Sequence, residues 1–270
     1  MITVHVFTSI KDEPPVMSHA IQCSVCNGLC SLLDVVDFNK SCEEARGTFL
    51  ALSGLPVYYA LCSQCGFCFA PEISKWGLKD FAEKIYNDDY VLVDPDYVES
   101  RPRLNAQNLI ATFGAYALGI KHLDYGGGSG GLSALLKKAD WQSTTYDPFV
   151  DTQIEIGQLG QFDLVTAFEV FEHVPDVRQL MANLRTLLAP QGVVMFTTLL
   201  SDGHIRPNQR LSWWYASPRN GHISLFSKRS MAVLAHEHGF QFGSFSPGYH
   251  ALYTSPPPWA AHILGKASPP

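Results

Sequence analysis

The sequence predicts an α/β protein, a mostly parallel sheet covered by helices, preceded by a small cysteine-bearing module. Three observations predict it. Strand-like apolar runs alternate with helical patterns after residue 101. Between the first such strand and its helix, "GGGSGG" packs five glycines into positions 126–131. All seven cysteines fall within the first 100 residues, where helical periodicity is weak.

The elements follow in order. "RLNAQNLIATFGAYAL" carries Leu104, Leu109, Phe113 and Tyr116 at helical spacing after Pro102, a residue suited to a first turn. "KHLDY" reads as a short buried strand and "GLSALLKKA" as a helix. "WQSTTYD" and "FDLVTAFE" read as strands, then "DVRQLMANLRTLLA" as a helix. "GVVMFTTLL" is a strong strand, and "SKRSMAVLAHEHG" is a helix begun by Ser227 and ended by Gly239. "SPPPWAAHILGKASPP" reads as a loosely held tail. The predicted division is 1–100 for the cysteine module and linker, 101–253 for the α/β domain and 254–270 for the tail.

Composition bounds the function. At 270 residues, 46% hydrophobic and 16% charged, the chain can bury a sizeable core. A net charge of −6 argues against a nucleic-acid partner. No apolar run approaches the ~20 residues of a membrane span, so no membrane partner is expected. The opening "MITVHVFTSIKDEPP" lacks a basic leader and apolar block, and Lys11, Asp12 and Glu13 interrupt it. The odd cysteine count fits a reducing compartment better than a disulfide framework, so a cytoplasmic location is expected.

A strand, a glycine loop and a helix form a phosphate- or adenosine-binding arrangement, because glycine backbone approaches a ligand without a Cβ. Two frames fit. Gly126, Gly128 and Gly131 spell the dinucleotide pattern GxGxxG. Asp124, Gly126, Gly128 and Gly130 spell DxGxGxG, which resembles the first motif of class I S-adenosylmethionine methyltransferases. Asp147, before Pro148, lies about twenty residues on, where an acid at a strand end accepts from ribose hydroxyls. Either cofactor carries that ribose. "FDLVTAFEVFEHVPD" then resembles the fourth-strand segment of the methyltransferases, with an ExxEHxxD-like run that dinucleotide dehydrogenases do not usually carry.

The resemblance spans about residues 104–248 and implies a Rossmann-like class I methyltransferase sheet with S-adenosylmethionine at the strands' carboxyl ends. It puts Asp124, Gly126, Gly128 and Gly130 along the methionine and ribose side and Asp147 on the ribose. Tyr125, Pro148, Phe149, Phe168 and Glu169 also fall in the cofactor shell. Only "PFVDTQIEIGQLGQ" separates Asp147 from Phe162, where the family usually fits a helix and a third strand, so that part is shortened.

"CSVC" at Cys23 and Cys26 and "CSQC" at Cys62 and Cys65 form two CxxC knuckles, the spacing that offers four thiolates to one structural zinc ion in a zinc-ribbon-like module. Cys68 could instead replace Cys62 as the partner of Cys65, and Cys30 and Cys42 read as spare core residues. A methyltransferase with such knuckles resembles the zinc-containing sugar C-methyltransferases. The bridging stretch "IYNDDYVLVDPDYVESRP", dense in Tyr, Asp and Arg, is either a cover for the cofactor or acceptor or a plain linker.

On the acceptor side, Trp213, Trp214 and Tyr215 are either a lid or simple packing. "GHISLFS" resembles the "EHxSxFS" run of the sugar C-methyltransferases, in which the histidine is the base, and this implies His222 as general base. Gly221 stands where that pattern has an acid. His222, Tyr215 and His173 are the candidate catalytic residues. A rival reading gathers Glu169, Glu172 and His173, with His222 or His204, around a divalent ion. Similar runs hold a metal in ubiquinone-pathway O-methyltransferases and small-RNA end methyltransferases. The expected activity is methyl transfer to a small molecule, a sugar or nucleotide-linked sugar. The alternatives are metal-dependent O-methylation, a non-catalytic zinc-containing binding protein on the same fold, and an NAD-dependent oxidoreductase.

Overall fold

The computed structural model describes residues 21–117 and 119–267. The reading of the opening segment as no leader falls on residues 1–15, outside the described residues. Among the described residues, no helix is long and apolar enough to cross a membrane.

The chain runs β1 (Ile21–Gln22), β2 (Leu29–Asp37), β3 (Pro56–Cys62), β4 (Cys68–Phe69), α1 (Leu78–Lys84) and α2 (Ser100–Phe113). Then come β5 (Lys121–Tyr125), α3 (Gly131–Lys137), β6 (Gln142–Tyr146), β7 (Phe162–Phe168), α4 (Val177–Leu187) and β8 (Leu188–Thr197). The last elements are β9 (Ser224–Leu225), α5 (Lys228–Glu237), β10 (Gln241–Ser246), β11 (Tyr249–Tyr253) and α6 (Ala261–Leu264).

The larger sheet has the order β10-β11-β8-β7-β5-β6. β5 pairs in parallel with both β6 and β7, and β7 with β8, while β11 and β10 add antiparallel strands at the edge. Period-two alternation sends side chains to both faces. Leu123, Val165, Val194 and Phe196 pack under α4 and α5. Leu164, Val193 and Met195 pack under α2, α3 and α6. A sheet buried on both faces explains why its strands read as continuous apolar runs. Between β6 and β7 there is no strand, only a short 3-10 turn at Ile156–Gln158, as the shortened spacer predicts.

The smaller, antiparallel sheet has the order β1-β2-β3-β4-β9. Its last strand comes from residues 224–225, far along the chain, so the cysteine module is completed by the α/β half. One side of β3, through Val57, Tyr59 and Leu61, packs on α1, the segment after it and the 211–225 region.

Three expectations change, and one element escapes the sequence reading. The first helix ends at Phe113, and Leu104 and Tyr116 are exposed rather than core. The hairpin β10–β11 was not read from the sequence. The 254–270 segment is not loosely held over its described part: α6 buries Ile263 and Leu264 beside Phe113, because an apolar "WAAHIL" follows the prolines. Cys30 and Cys42 are only half-buried, and of the two Cys30 packs at the edge of the core.

Candidate active site

The strand order reverses at β5, so a crevice opens at the carboxyl ends of β5, β6 and β7, where open α/β sheets bind ligands. The glycine loop fills the turn out of β5. Gly126, Gly128 and Gly130 all adopt left-handed backbone (φ +75°, +53° and +83°), which only glycine takes without strain. A Cβ on Gly126 would meet Val170 at 2.6 Å, whereas one on Gly128 would meet nothing within 4 Å. Gly128 therefore presents bare backbone to open space, the property a closely approaching ligand requires. Asp147 accepts from the Gly128 N–H at 2.9 Å and the Phe149 N–H at 2.8 Å. A carboxylate has about four acceptor positions, so two remain for a diol.

Asp124 is buried beneath the loop and accepts from the Thr166 hydroxyl at 2.8 Å. Burial pushes its carboxyl up to about 7. Tyr125 is also buried, its hydroxyl accepting from Asn183 at 3.2 Å on α4. Phe149 is half-exposed and meets Tyr86 edge-on at 5.0 Å. Glu169 has φ +54° and is held by Thr197, which accepts its N–H and donates to Oε1 at 2.8 Å. Phe168 lies at the end of β7 against Tyr249, packed with the core beside α2 and α3 rather than with the loop.

Beyond the crevice, Glu172, His173 and His222 bring one potential ligand atom each within 4.8 Å of one another. Glu169 is absent from this group because Thr197 holds it, and His204 is absent because it stacks on Trp213 at 4.8 Å. Tyr215 donates to Glu172 Oε1 at 2.5 Å. Glu172 Oε2 and His173 Nδ1 are buried without a partner. Burial, reinforced by the charge of Glu169, pushes the Glu172 carboxyl up to about 8. Burial pulls His173 down to about 3 and His222 well below its ordinary value, so both rings are neutral near pH 7. His222 Nδ1 lies 2.8 Å from the Tyr215 carbonyl, which can only accept, so Nδ1 carries the proton and Nε2 keeps a lone pair. Gly221 has φ +88°, and a Cβ there would meet His173 Nδ1 at 3.0 Å, which explains glycine at this position.

His173, Tyr215 and His222 face a cavity of 190 Å³, also walled by Cys42, Asp94, Arg101, Glu169, Trp214 and Asn220, with Glu172 fully buried behind them. Arg101 and Asp94 form a bidentate pair at 2.8 Å. Cys42 Sγ lies 3.7 Å from His222 Nδ1. Trp214 alone of the aromatic triplet is substantially exposed (39%); Trp213 and Tyr215 pack inward. A larger concavity of 300 Å³ sits at the amino ends of β5 and β6, the wrong end of the sheet for this chemistry.

The four knuckle sulfurs converge. Cys23 and Cys65 are 3.6 Å apart, Cys26 and Cys62 are 3.5 Å apart, and all four lie within 4.8 Å of one another. Zinc bonds thiolate at about 2.3 Å, so tetrahedral sulfurs sit roughly 3.8 Å apart. The cluster is the right size for that ion. Hydrogen bonds from Cys30 and Cys65 pull the Cys23 thiol down, and the same bond with Cys23 pushes Cys65 up. Cys68 lies in a different cluster, on β4, which removes it as the alternative ligand.

A family model described as "Methyltransferase domain" matches residues 97–243, more than half of the chain. The chain belongs to the class I S-adenosylmethionine-dependent methyltransferase family. The chain is 38% identical over 64 residues to a ubiquinone biosynthesis O-methyltransferase of Pasteurella multocida (strain Pm70), covering 22% of this chain and 26% of that protein. A protein of the same name from Actinobacillus pleuropneumoniae serotype 5b (strain L20) is 37% identical over 60 residues, covering 22% and 25%. The chain thus spans about a quarter of the length of the curated relatives it matches. Among solved structures it is similar to 1,6-didemethyltoxoflavin-N1-methyltransferase of Burkholderia thailandensis. The TM-score is 0.46 at 17% identity, covering 70% of this chain and 94% of that one.

The methyltransferase domain brings together the sequence-predicted Asp124, Gly126, Gly128, Gly130, Asp147, Pro148 and Phe149 at one crevice, with His173, Tyr215 and His222 lining the adjoining cavity. Sequence reasoning missed Cys42, Asp94, Arg101 and Asn220 as cavity walls, and Tyr86 beside Phe149 and His173. The one signal for Tyr86, Asp94 and Arg101 was the Tyr-, Asp- and Arg-rich stretch 85–102, which crosses the crevice; Cys42 and Asn220 had none.

Proposed function

We propose that the chain is an S-adenosylmethionine-dependent methyltransferase of a small hydroxylated acceptor, such as a sugar or nucleotide-linked sugar. Asp124, the 126–130 glycine backbone and Asp147 hold the cofactor, and His222 serves as proton acceptor. When bound, the cofactor supplies a sulfonium methyl group. The chain's own work is alignment, exclusion of water and custody of one proton. Asp147 takes the ribose diol and Gly128 lets the nucleoside approach. The acceptor hydroxyl sits in the 190 Å³ cavity, its proton passing to His222 Nε2 as its oxygen gains the methyl group. One observation supports this reading most: buried, unpartnered Glu172 Oε2 and His173 Nδ1 beside a neutral His222, at the acceptor end of a cofactor crevice.

Those same unpartnered atoms favour a second reading, with a divalent cation on Glu172, His173 and His222. The set is one carboxylate and two neutral imidazoles, and such a cation would lower the acceptor hydroxyl's pKa. The four knuckle cysteines would hold structural zinc, a closed site whose chemistry is folding energy alone.

Calorimetry with S-adenosylhomocysteine tests the cofactor, and no binding by the folded full-length chain sinks the whole reading. Radiolabelled methyl transfer to a panel of sugars, nucleotide sugars and phenols tests the acceptor. If chelator abolishes transfer and Mg2+ or Mn2+ restores it, the cation reading stands. If transfer by the zinc-loaded chain is the same with and without added Mg2+ or Mn2+ while His222→Ala abolishes it, His222 acts as the base. Tight cofactor binding with no transfer to any acceptor favours a binding protein.

A further inference from the structure

The segment that crosses the crevice is held down by a residue outside the family motifs. We propose that Asn220 is a positioning residue, latching the 85–99 strap and the Cys42 turn to His222 so that one side chain sets three walls of the acceptor cavity. The inference rests on the methyltransferase reading for what the cavity is for.

Asn220 is 3% exposed and all of its polar groups are engaged. Its Oδ1 accepts from the Cys42 N–H at 2.8 Å. Its Nδ2 donates to the Val93 carbonyl at 2.8 Å. Its own carbonyl faces the Tyr90 hydroxyl at 3.5 Å, and its N–H donates to Ser217 at 3.1 Å. The neighbouring Arg219 clamps the strap's other end, donating to the Ile85 carbonyl at 2.9 Å and to Asn87 Oδ1 at 3.0 Å. Two residues later His222 is fixed in turn, its carbonyl accepting from the Tyr59 hydroxyl at 2.7 Å.

An amide suits this role and its isosteres do not. It offers a donor in one direction and an acceptor in the other, and neither a hydrocarbon nor a carboxylate reproduces both. The strap it holds carries Tyr86, which sits between Phe149 on the cofactor side and His173 on the acceptor side. It also carries Asp94, the partner of Arg101 in the cavity wall. Loosening Asn220 therefore loosens the cofactor's cover and the acceptor's walls together.

Hydrogen exchange and S-adenosylhomocysteine dissociation, both on the full-length chain, test this. In Asn220→Ala, residues 85–97 and 40–46 exchange at least tenfold faster while β5–β8 keep wild-type protection, and S-adenosylhomocysteine leaves at least tenfold faster. Asn220→Asp keeps the acceptor for Cys42 but sets an oxygen against the Val93 carbonyl. It loosens 85–97 and spares 40–46, a split that a merely stabilising residue does not produce. Strap exchange within twofold of wild type in both variants overturns the proposal, as does equal loosening of strap and sheet. Should Asn220→Ala fail to fold, the Asp variant decides alone. Failure of the wild type to bind S-adenosylhomocysteine sinks the methyltransferase reading instead, and strap exchange still judges Asn220.

Discussion

Asp147 is the residue whose chemistry is simplest to test. It already takes two backbone N–H groups, which fixes its orientation before any ligand arrives. Hydrogen bonds to a charged group contribute about 1.5–3 kcal/mol each. Asp147→Ala is expected to weaken S-adenosylhomocysteine binding by on the order of a hundredfold, measured by calorimetry, with the sheet intact by circular dichroism. A loss under threefold would remove Asp147 from the cofactor site. The buried titratable residues make a second prediction. Burial holds His122 and His173 down at about 3 and His250 at about 4. It holds Asp124 up at about 7 and Glu172 at about 8. Between about pH 4.5 and 6.5 the unfolded chain binds protons on these three histidines and on His222, which burial also holds well below its ordinary value, and the native chain leaves all four neutral. The native chain in turn keeps protons on two carboxyls that the unfolded chain has released. Four against two makes stability rise with pH. Above about 6.5 the unfolded histidines are neutral too, and stability falls as Asp124 and Glu172 ionise. Thermal midpoints of the metal-free chain should peak near pH 6.5, and a steady rise through pH 8 would show both carboxyls ionised in the native state.

Helix α5 shows how one element ties the site to the cysteine module. Ser227 caps it, accepting from the Ser230 N–H at 3.0 Å while its hydroxyl donates to the Cys65 carbonyl at 2.6 Å. Losing an N-cap side chain costs about 1 kcal/mol, and here a carbonyl of the second knuckle loses its donor as well. Ser227→Ala should lower stability by roughly 1–3 kcal/mol in urea titrations, and a change below about 0.5 kcal/mol would mean that solvent replaces both bonds. This helix was legible because Ser227 and Gly239 bracket a periodic apolar stretch, and β5, β7 and β8 were legible because burial on both faces makes them continuous apolar runs. The β10–β11 hairpin was not, because "QFGSFS" is rich in glycine and serine and its pairing partner is β8, some fifty residues back. The same contrast governs the site. The glycine loop, Asp147 and the Glu172-His173 run are local patterns with local causes. Asn220 and Cys42 meet across a separation of 178 residues, and nothing in either neighbourhood announces the other.

At the scale of the whole molecule, the two sheets behave as one structure. β4 pairs with β9, which lies between His222 and α5. The Ile223 N–H donates to the Glu172 carbonyl at 2.9 Å, joining the end of the small sheet to the candidate acid. Arg178 on α4 donates to the Ser24 and Val25 carbonyls of the first knuckle at 2.7 and 2.5 Å, and pairs with Glu237 on α5 at 2.6 Å. Both knuckles thus grip helices whose other faces line the core of the large sheet. The four sulfurs hold together chain segments separated by about forty residues, and without a cation that closure loses its metal–sulfur bonds. Stripping the proposed zinc with a strong chelator should therefore lower the thermal midpoint by ten degrees or more and abolish S-adenosylhomocysteine binding in the same step, since β9, which follows His222, is paired to β4 just beyond the second knuckle. Differential scanning calorimetry decides it. A chelated chain that loses only a small early transition, and still binds S-adenosylhomocysteine with its original affinity, would show the cysteine module to be an attachment rather than part of the wall of the active site.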